Sequence, residues 1–203
     1  MRGDLSDCEF TRKVAYCFLL RSQDHEQTLG VQWELMSAFG SVLSMASGDD
    51  RPSVPEGLTG KGLRIAVVHA VWNWEIVERL LEGVERGFSS LGATIQQRVT
   101  VRGCYEIPLA CRMLAQSGDI DAIVAAGAVI RGETTHYEIV SNAVATGIQQ
   151  VQLETGIPIG FGVLTVESTE QGLARSEGVG GHNVGEEAAV VAVEMARLSS
   201  DWQ

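Results

Sequence analysis

Three stretches apolar along nearly their whole length constrain this chain most: RIAVVH from Arg64, DAIVAAG from Asp121 and PIGFGVLT from Pro158. A strand with one wet face alternates polar and apolar residues. A strand apolar throughout needs cover on both faces, which is the habit of parallel sheets. The intervening segments read as helices. Asn73 stands as a candidate N-cap before a stretch with Ile76, Val77, Leu80, Leu81 and Val84 on one side. The run TIQQRVTV predicts another strand, and residues 106–116 a helix. Residues 134–154 predict a long helix faced by Val140, Val144, Ile148 and Val151, with further helical segments at 169–175 and 183–198. Strands alternating with helices imply an α/β fold: a three-layer sandwich, its four-stranded parallel sheet covered by helices on both faces. Ligands of such sheets gather at the carboxyl ends of the strands.

Residues 1–60 lack this pattern and are expected to form a mobile appendage and linker to the α/β domain at 61–203. They hold one short apolar stretch, Val14 to Leu20, and a weak helix-like patch from Trp33 to Ala46. SGDDRPSVPEG then follows, rich in residues that resist regular structure. A small helical add-on, or a start codon placed too far upstream, are the other readings. A secretory signal does not fit, because Asp4, Asp7 and Glu9 precede the apolar stretch where positive charge is expected. No apolar run approaches the roughly 18–20 residues needed to cross a bilayer. The formal net charge of −11 argues against nucleic acid as a partner. Cys8, Cys17, Cys104 and Cys111 form no CxxC and no metal-site spacing, so reduced thiols in the cytoplasm are expected, and no metal.

The unusual residues fall at the expected strand ends. HAVWN follows the first strand with Trp72, RGCYEIP the second with Tyr105 and Glu106, GAVIRGETTH the third, and FGVLT carries Phe161 on the fourth. Singly, Trp72, Tyr105 and Phe161 read as ordinary packing; together they suggest a flat wall for a ring. In GETTH, Gly132 admits close approach of backbone. Thr134 and Thr135 open the long helix, where free N–H groups and hydroxyls suit a phosphate. His136, beside that turn, is a candidate for proton transfer. The spacing is neither a GxxxxGK[ST] loop nor a GxGxxG fingerprint.

HAVWN, GCYEIP, GAVIRGETTHYE, PIGFGVLT, STEQGLAR and HNVGEEAA, ending in VEMA, occur in this order between Gly62 and Leu198. In this the chain resembles the lumazine synthases, the 6,7-dimethyl-8-ribityllumazine synthase family of riboflavin biosynthesis. The resemblance implies a flavodoxin-like fold and a transferase that needs no metal or redox cofactor. It would condense 5-amino-6-(D-ribitylamino)uracil with 3,4-dihydroxy-2-butanone 4-phosphate. By the same resemblance Trp72 stacks on the pyrimidine. Asn73, Gly103, Cys104, Tyr105, Ala128, Val129 and Ile130 surround the ring, and Glu106 binds ribityl hydroxyls. Gly132, Glu133, Thr134 and Thr135 approach the phosphate, His136 shuttles protons, and a neighbouring subunit supplies Phe161 and Arg175.

It also implies a homopentamer, which twelvefold assembly would turn into an icosahedral shell of sixty, and association with riboflavin synthase. The pentamer is the expectation here, because the long N-terminal segment needs room at a pentamer surface. One departure stands out: Val184 replaces the basic residue the family usually places near the substrate phosphate. That leaves a second reading, a flavin- or lumazine-binding or shell-forming relative with weak or no activity. His182 and Arg131 are the candidates to compensate.

Overall fold

The computed structural model describes residues 53–201, and Ser53 opens the unit that holds them. The expectations for Val14 to Leu20, Trp33 to Ala46, Cys8 and Cys17 lie outside these residues. The unit runs β1 (Arg64–Ala70), α1 (Trp74–Ser90), β2 (Thr94–Val101), a 3-10 turn (Cys104–Glu106) and α2 (Ile107–Gln116). It continues with β3 (Ala122–Ile130), α3 (His136–Thr155), β4 (Ile159–Val166), α4 (Thr169–Leu173) and α5 (Val184–Asp201). The sheet order is β2-β1-β3-β4 with every pair parallel. This is the flavodoxin-like α/β sandwich that the sequence predicts.

Alternation along the central strands divides the core into two layers. Ile65, Val67, Val124 and Ala126 face α1 and α5, joining Leu80, Val84, Phe88, Ala189 and Val193. Ala66, Val68, Ile123 and Ala125 face α2 and α3, joining Ile107, Cys111, Val144 and Ile148. Burial on both faces is why β1 and β3 read as nearly unbroken apolar runs. The edge strand β2 differs: none of its residues is fully buried, and a bulge opposite Ile65 and Ala66 interrupts its register.

The connection from α1 to β2 is short because Gly92 adopts φ 66° just past the helix. Gly92 N–H donates to Ser89 O and Ala93 N–H to Phe88 O, which satisfies the last carbonyls in one turn. The chain joins the core before β1: Gly60 N–H donates to Leu91 O at 2.8 Å, and Arg197 donates to Thr59 O and Lys61 O. Asn183 is fully buried and starts α5. Its Oδ1 accepts from Gly185 N–H at 2.9 Å, and its Nδ2 donates to Arg79 O and Glu177 O.

Candidate active site

The carboxyl ends of β1, β2 and β3 open onto a cavity of about 680 Å³. It is lined by Trp72 and Asn73 after β1, by Arg102 to Glu106 after β2, by Ala128 to Ile130 at the end of β3, and by His136, Ile139 and Val140 of α3. Trp72 and Tyr105 keep 66% and 59% of their surfaces exposed, a large apolar area that the described residues leave uncovered.

Local chemistry sets these positions. Asn73 has φ 62°, a left-handed conformation that asparagine tolerates better than most residues. It occupies the N-cap position expected of it, but its side chain does not cap the helix. Nδ2 instead donates to Ala128 O at 2.8 Å, pinning the loop after β1 to the end of β3. Glu106 Oε2 accepts from Gly103 N–H at 2.8 Å, which turns the carboxylate back over the 3-10 turn. A Cβ at Gly103 would lie 3.2 Å from that oxygen and 3.4 Å from Trp72 Cδ1, so glycine lets acid and indole converge. Cys104 is buried beneath this turn. Desolvation pushes its thiol up to about 12, and Cys111 likewise, so neither is a nucleophile near neutral pH.

Three expectations require correction. The helix α3 begins at His136, two residues after Thr134. Thr134 and Thr135 stay in the preceding loop, where side-chain oxygens that bond local backbone favour caps over helix interiors; Thr134 Oγ1 accepts from His136 N–H at 3.4 Å. Phe161 is the third residue of β4, paired with Ala125, well before the carboxyl end at Val166. It does not join Trp72 and Tyr105 along the cavity of its own chain. Arg131 and His182 do not stand ready to replace the base missing at Val184. Arg131 is ion-paired with Glu138 and with Glu167, the latter at 2.6 Å, and His182 Nε2 lies 3.3 Å from Glu187 Oε1.

Gly132, Glu133, Thr134 and Thr135 form an exposed loop between two cavity residues, Ile130 and His136, without lining the cavity themselves. A Cβ on Gly132 would meet nothing within 4 Å, so its backbone lies open to an approaching group. Arg175, just after α4, is also outside the lining; its Nη1 donates to Gln171 O at 3.2 Å. Val184 N–H donates to Arg175 O at 3.0 Å, which sets the departing position directly beside that arginine. Sequence reasoning missed Arg102, Ile139 and Val140 as lining residues. Helical spacing from His136 carries the signal for Ile139 and Val140, three and four residues on.

Among the described residues no group of His, Cys, Asp and Glu is arranged to hold a metal ion, and no helix is long and apolar enough to cross a membrane. Fold and cavity define a small-molecule site of the parallel α/β class, with an aromatic wall, a tethered carboxylate and a histidine at one strand-end opening. Residues 62–200 match the family described as 6,7-dimethyl-8-ribityllumazine synthase. Relatives of that description include proteins from Azoarcus sp. (strain BH72), 43% identical over 76% of this chain and 97% of its own length, and from Thermococcus gammatolerans, 46% identical over 72% and 94%. A third, from Deinococcus radiodurans, is 43% identical over 70% and 92%. The chain belongs to the 6,7-dimethyl-8-ribityllumazine synthase family.

Proposed function

We infer that this chain is an enzyme of riboflavin biosynthesis. It condenses 5-amino-6-(D-ribitylamino)uracil with 3,4-dihydroxy-2-butanone 4-phosphate to give 6,7-dimethyl-8-ribityllumazine, phosphate and water. The observation that carries the residue roles is the single cavity holding Trp72, Tyr105, Glu106 and His136. The pyrimidine stacks on the exposed faces of Trp72 and Tyr105, against backbone at 103–105 and 128–130. Glu106, oriented by its bond to Gly103 N–H, accepts from ribityl hydroxyls through its other oxygen.

The amine of the pyrimidine attacks the ketone of the second substrate. Loss of water forms the imine, loss of phosphate follows, and ring closure with loss of a second water completes the lumazine. His136 relays protons in these steps at the mouth of the cavity. Departing phosphate needs fixed positive charge and N–H donors, supplied by the open loop 132–135 and by a guanidinium. Arg175 lies outside the cavity of its own chain, and Phe161 lies away from it along β4. Both serve instead the pocket of an adjacent subunit in a ring of five. Holding two substrates together supplies much of the remaining acceleration.

The test incubates purified protein with both substrates and follows lumazine absorbance. Turnover no faster than the spontaneous condensation would overturn the assignment. Val184 favours the second reading, a lumazine-binding or shell-forming protein; absent turnover together with lumazine binding by fluorescence titration or a sixty-subunit particle would support it. Light scattering on the size-exclusion eluate checks the ring: a fully active monomer of 21.8 kDa would refute the shared pocket, while a sixty-subunit particle would replace the pentamer and leave the chemistry intact.

A further inference from the structure

We propose that Arg131 is a positioning residue for the condensation: it fixes the loop that presents His136 and, through α4, the segment that carries Arg175. The proposal rests on the roles given above to those two residues.

Arg131 follows the last residue of β3, and its N–H donates to Val166 O at 2.9 Å, extending the sheet ladder by one step. Its guanidinium reaches in three directions. Nη1 pairs with Glu138 Oε1, Nε pairs with Glu167 Oε2 at 2.6 Å, and Cζ lies 4.2 Å from the centroid of the Tyr137 ring. Glu138 stands in the first turn of α3. The pair therefore closes the exposed loop 132–135 across its two ends. Within the loop the hold is slight: His136 N–H to Thr134 Oγ1 at 3.4 Å and Ile139 N–H to Thr135 O at 3.3 Å. A four-residue loop with a glycine and long bonds wanders unless its ends are fixed, and His136 is the residue immediately beyond it.

The second direction leads to the arginine. Glu167 N–H donates to Gln171 Oε1 at 3.0 Å, Gln171 N–H to Ser168 Oγ, and Arg175 Nη1 to Gln171 O at 3.2 Å. One guanidinium thus joins the ends of β3 and β4, the start of α3 and the approach to Arg175 through unbroken contacts. Its pairing raises the pKa of Arg131 and lowers that of Glu138, so both stay charged at neutral pH. A cation held between two carboxylates is a poor seat for a phosphate dianion. It is a good brace, because a planar guanidinium holds two acids and a ring at once, which an ammonium cannot.

The experiment compares full-length Arg131→Met, Arg131→Lys, Glu138→Gln and the Arg131→Met/Glu138→Gln double variant in steady-state turnover. Titration with the lumazine product, read by fluorescence, reports whether the ring pocket is intact in each. Arg131→Met is expected to lower kcat roughly 10- to 100-fold, the scale of a misplaced catalytic group. Product affinity and KM for the pyrimidine should stay within about twofold. Glu138→Gln should reproduce most of the loss, and the double variant should be no worse than Arg131→Met, the non-additivity of residues acting as one unit. Arg131→Lys should recover part of kcat. Unchanged kcat in Arg131→Met overturns the proposal. So does an effect confined to KM for the butanone phosphate with Glu138→Gln silent, since Arg131 would then be a direct ligand. Full turnover in His136→Ala is a different pattern: it overturns the site reading beneath, and this proposal with it.

Discussion

Replacing Asn183 by alanine tests how far one buried side chain holds the start of α5 to α1 and to the loop before it. Asn183 is fully buried and uses both ends of its amide. Oδ1 accepts from the N–H groups of Gly185 and Glu186 at the start of α5, and Nδ2 donates to Arg79 O in α1 and to Glu177 O in the loop before α5. Losing the cap costs about 1 kcal/mol. Each carbonyl deprived of a buried donor adds roughly 0.5–1 kcal/mol. The expected loss is therefore about 2–3 kcal/mol, which at roughly 2–4 °C per kcal/mol for a unit of this size lowers Tm by about 4–12 °C. Differential scanning calorimetry at fixed protein concentration measures it. Asn183→Ser separates the two parts, since a hydroxyl can cap α5 but cannot reach Arg79 O; it should recover about 1 kcal/mol. A shift below about 1 °C for the alanine variant would refute the reasoning, because those bonds would then contribute nothing net.

Arg175→Ala should raise KM for the butanone phosphate far more than KM for the pyrimidine, by the equivalent of about 2–4 kcal/mol for a charge-assisted contact; equal effects on both would remove Arg175 from the phosphate. Val184→Lys places an ammonium one backbone hydrogen bond from Arg175 and should lower the same KM, measured by steady-state kinetics. A neutral or harmful result would mean that the phosphate is not bound at that turn. Asp121→Asn should destabilise the protein at pH 7. Arg64 holds the Asp121 carboxyl below its ordinary pKa, so the contribution is present above the unfolded value of about 3.9 and fades as pH falls through the lower folded value. Urea midpoints at pH 7 and pH 3 check the sign, and a pH-independent difference would contradict it.

The central strands were legible because burial on both faces leaves almost no polar residue in them, and TIQQRVTV was legible as a strand although β2 is largely exposed. Its exposed edge was not, since strand order is set by tertiary packing. The cavity residues near Trp72, Tyr105 and His136 could be found because strand ends gather ligands in this architecture. The run PIGFGVLT fixed the carboxyl end of β4 to within one residue, but Phe161 lies near the strand's start and away from the cavity of its own chain, which the sequence alone does not show. Asn73 shows the same limit at finer scale: its position was readable as an N-cap, but its partner, Ala128 O, lies 55 residues away and leaves no local trace. The staple from Arg131 to Glu138 and Glu167 likewise depends on where two helices start relative to two strands.

Gly127 and Cys104 fill one another's space beneath the cavity, since a Cβ on Gly127 would lie 2.6 Å from Cys104 Sγ. The two positions are therefore coupled. Alanine at 127 needs the sulfur to move and Ile107 Cδ1, 3.3 Å from the new methyl, to give by a few tenths of an ångström, whereas Cys104→Ala alone leaves only a small void. The change at position 104 meets less steric resistance than the change at position 127. The floor of this site therefore has a preferred order of substitution, and a library that randomises position 127 alone will report it as more restricted than one that varies 104 and 127 together.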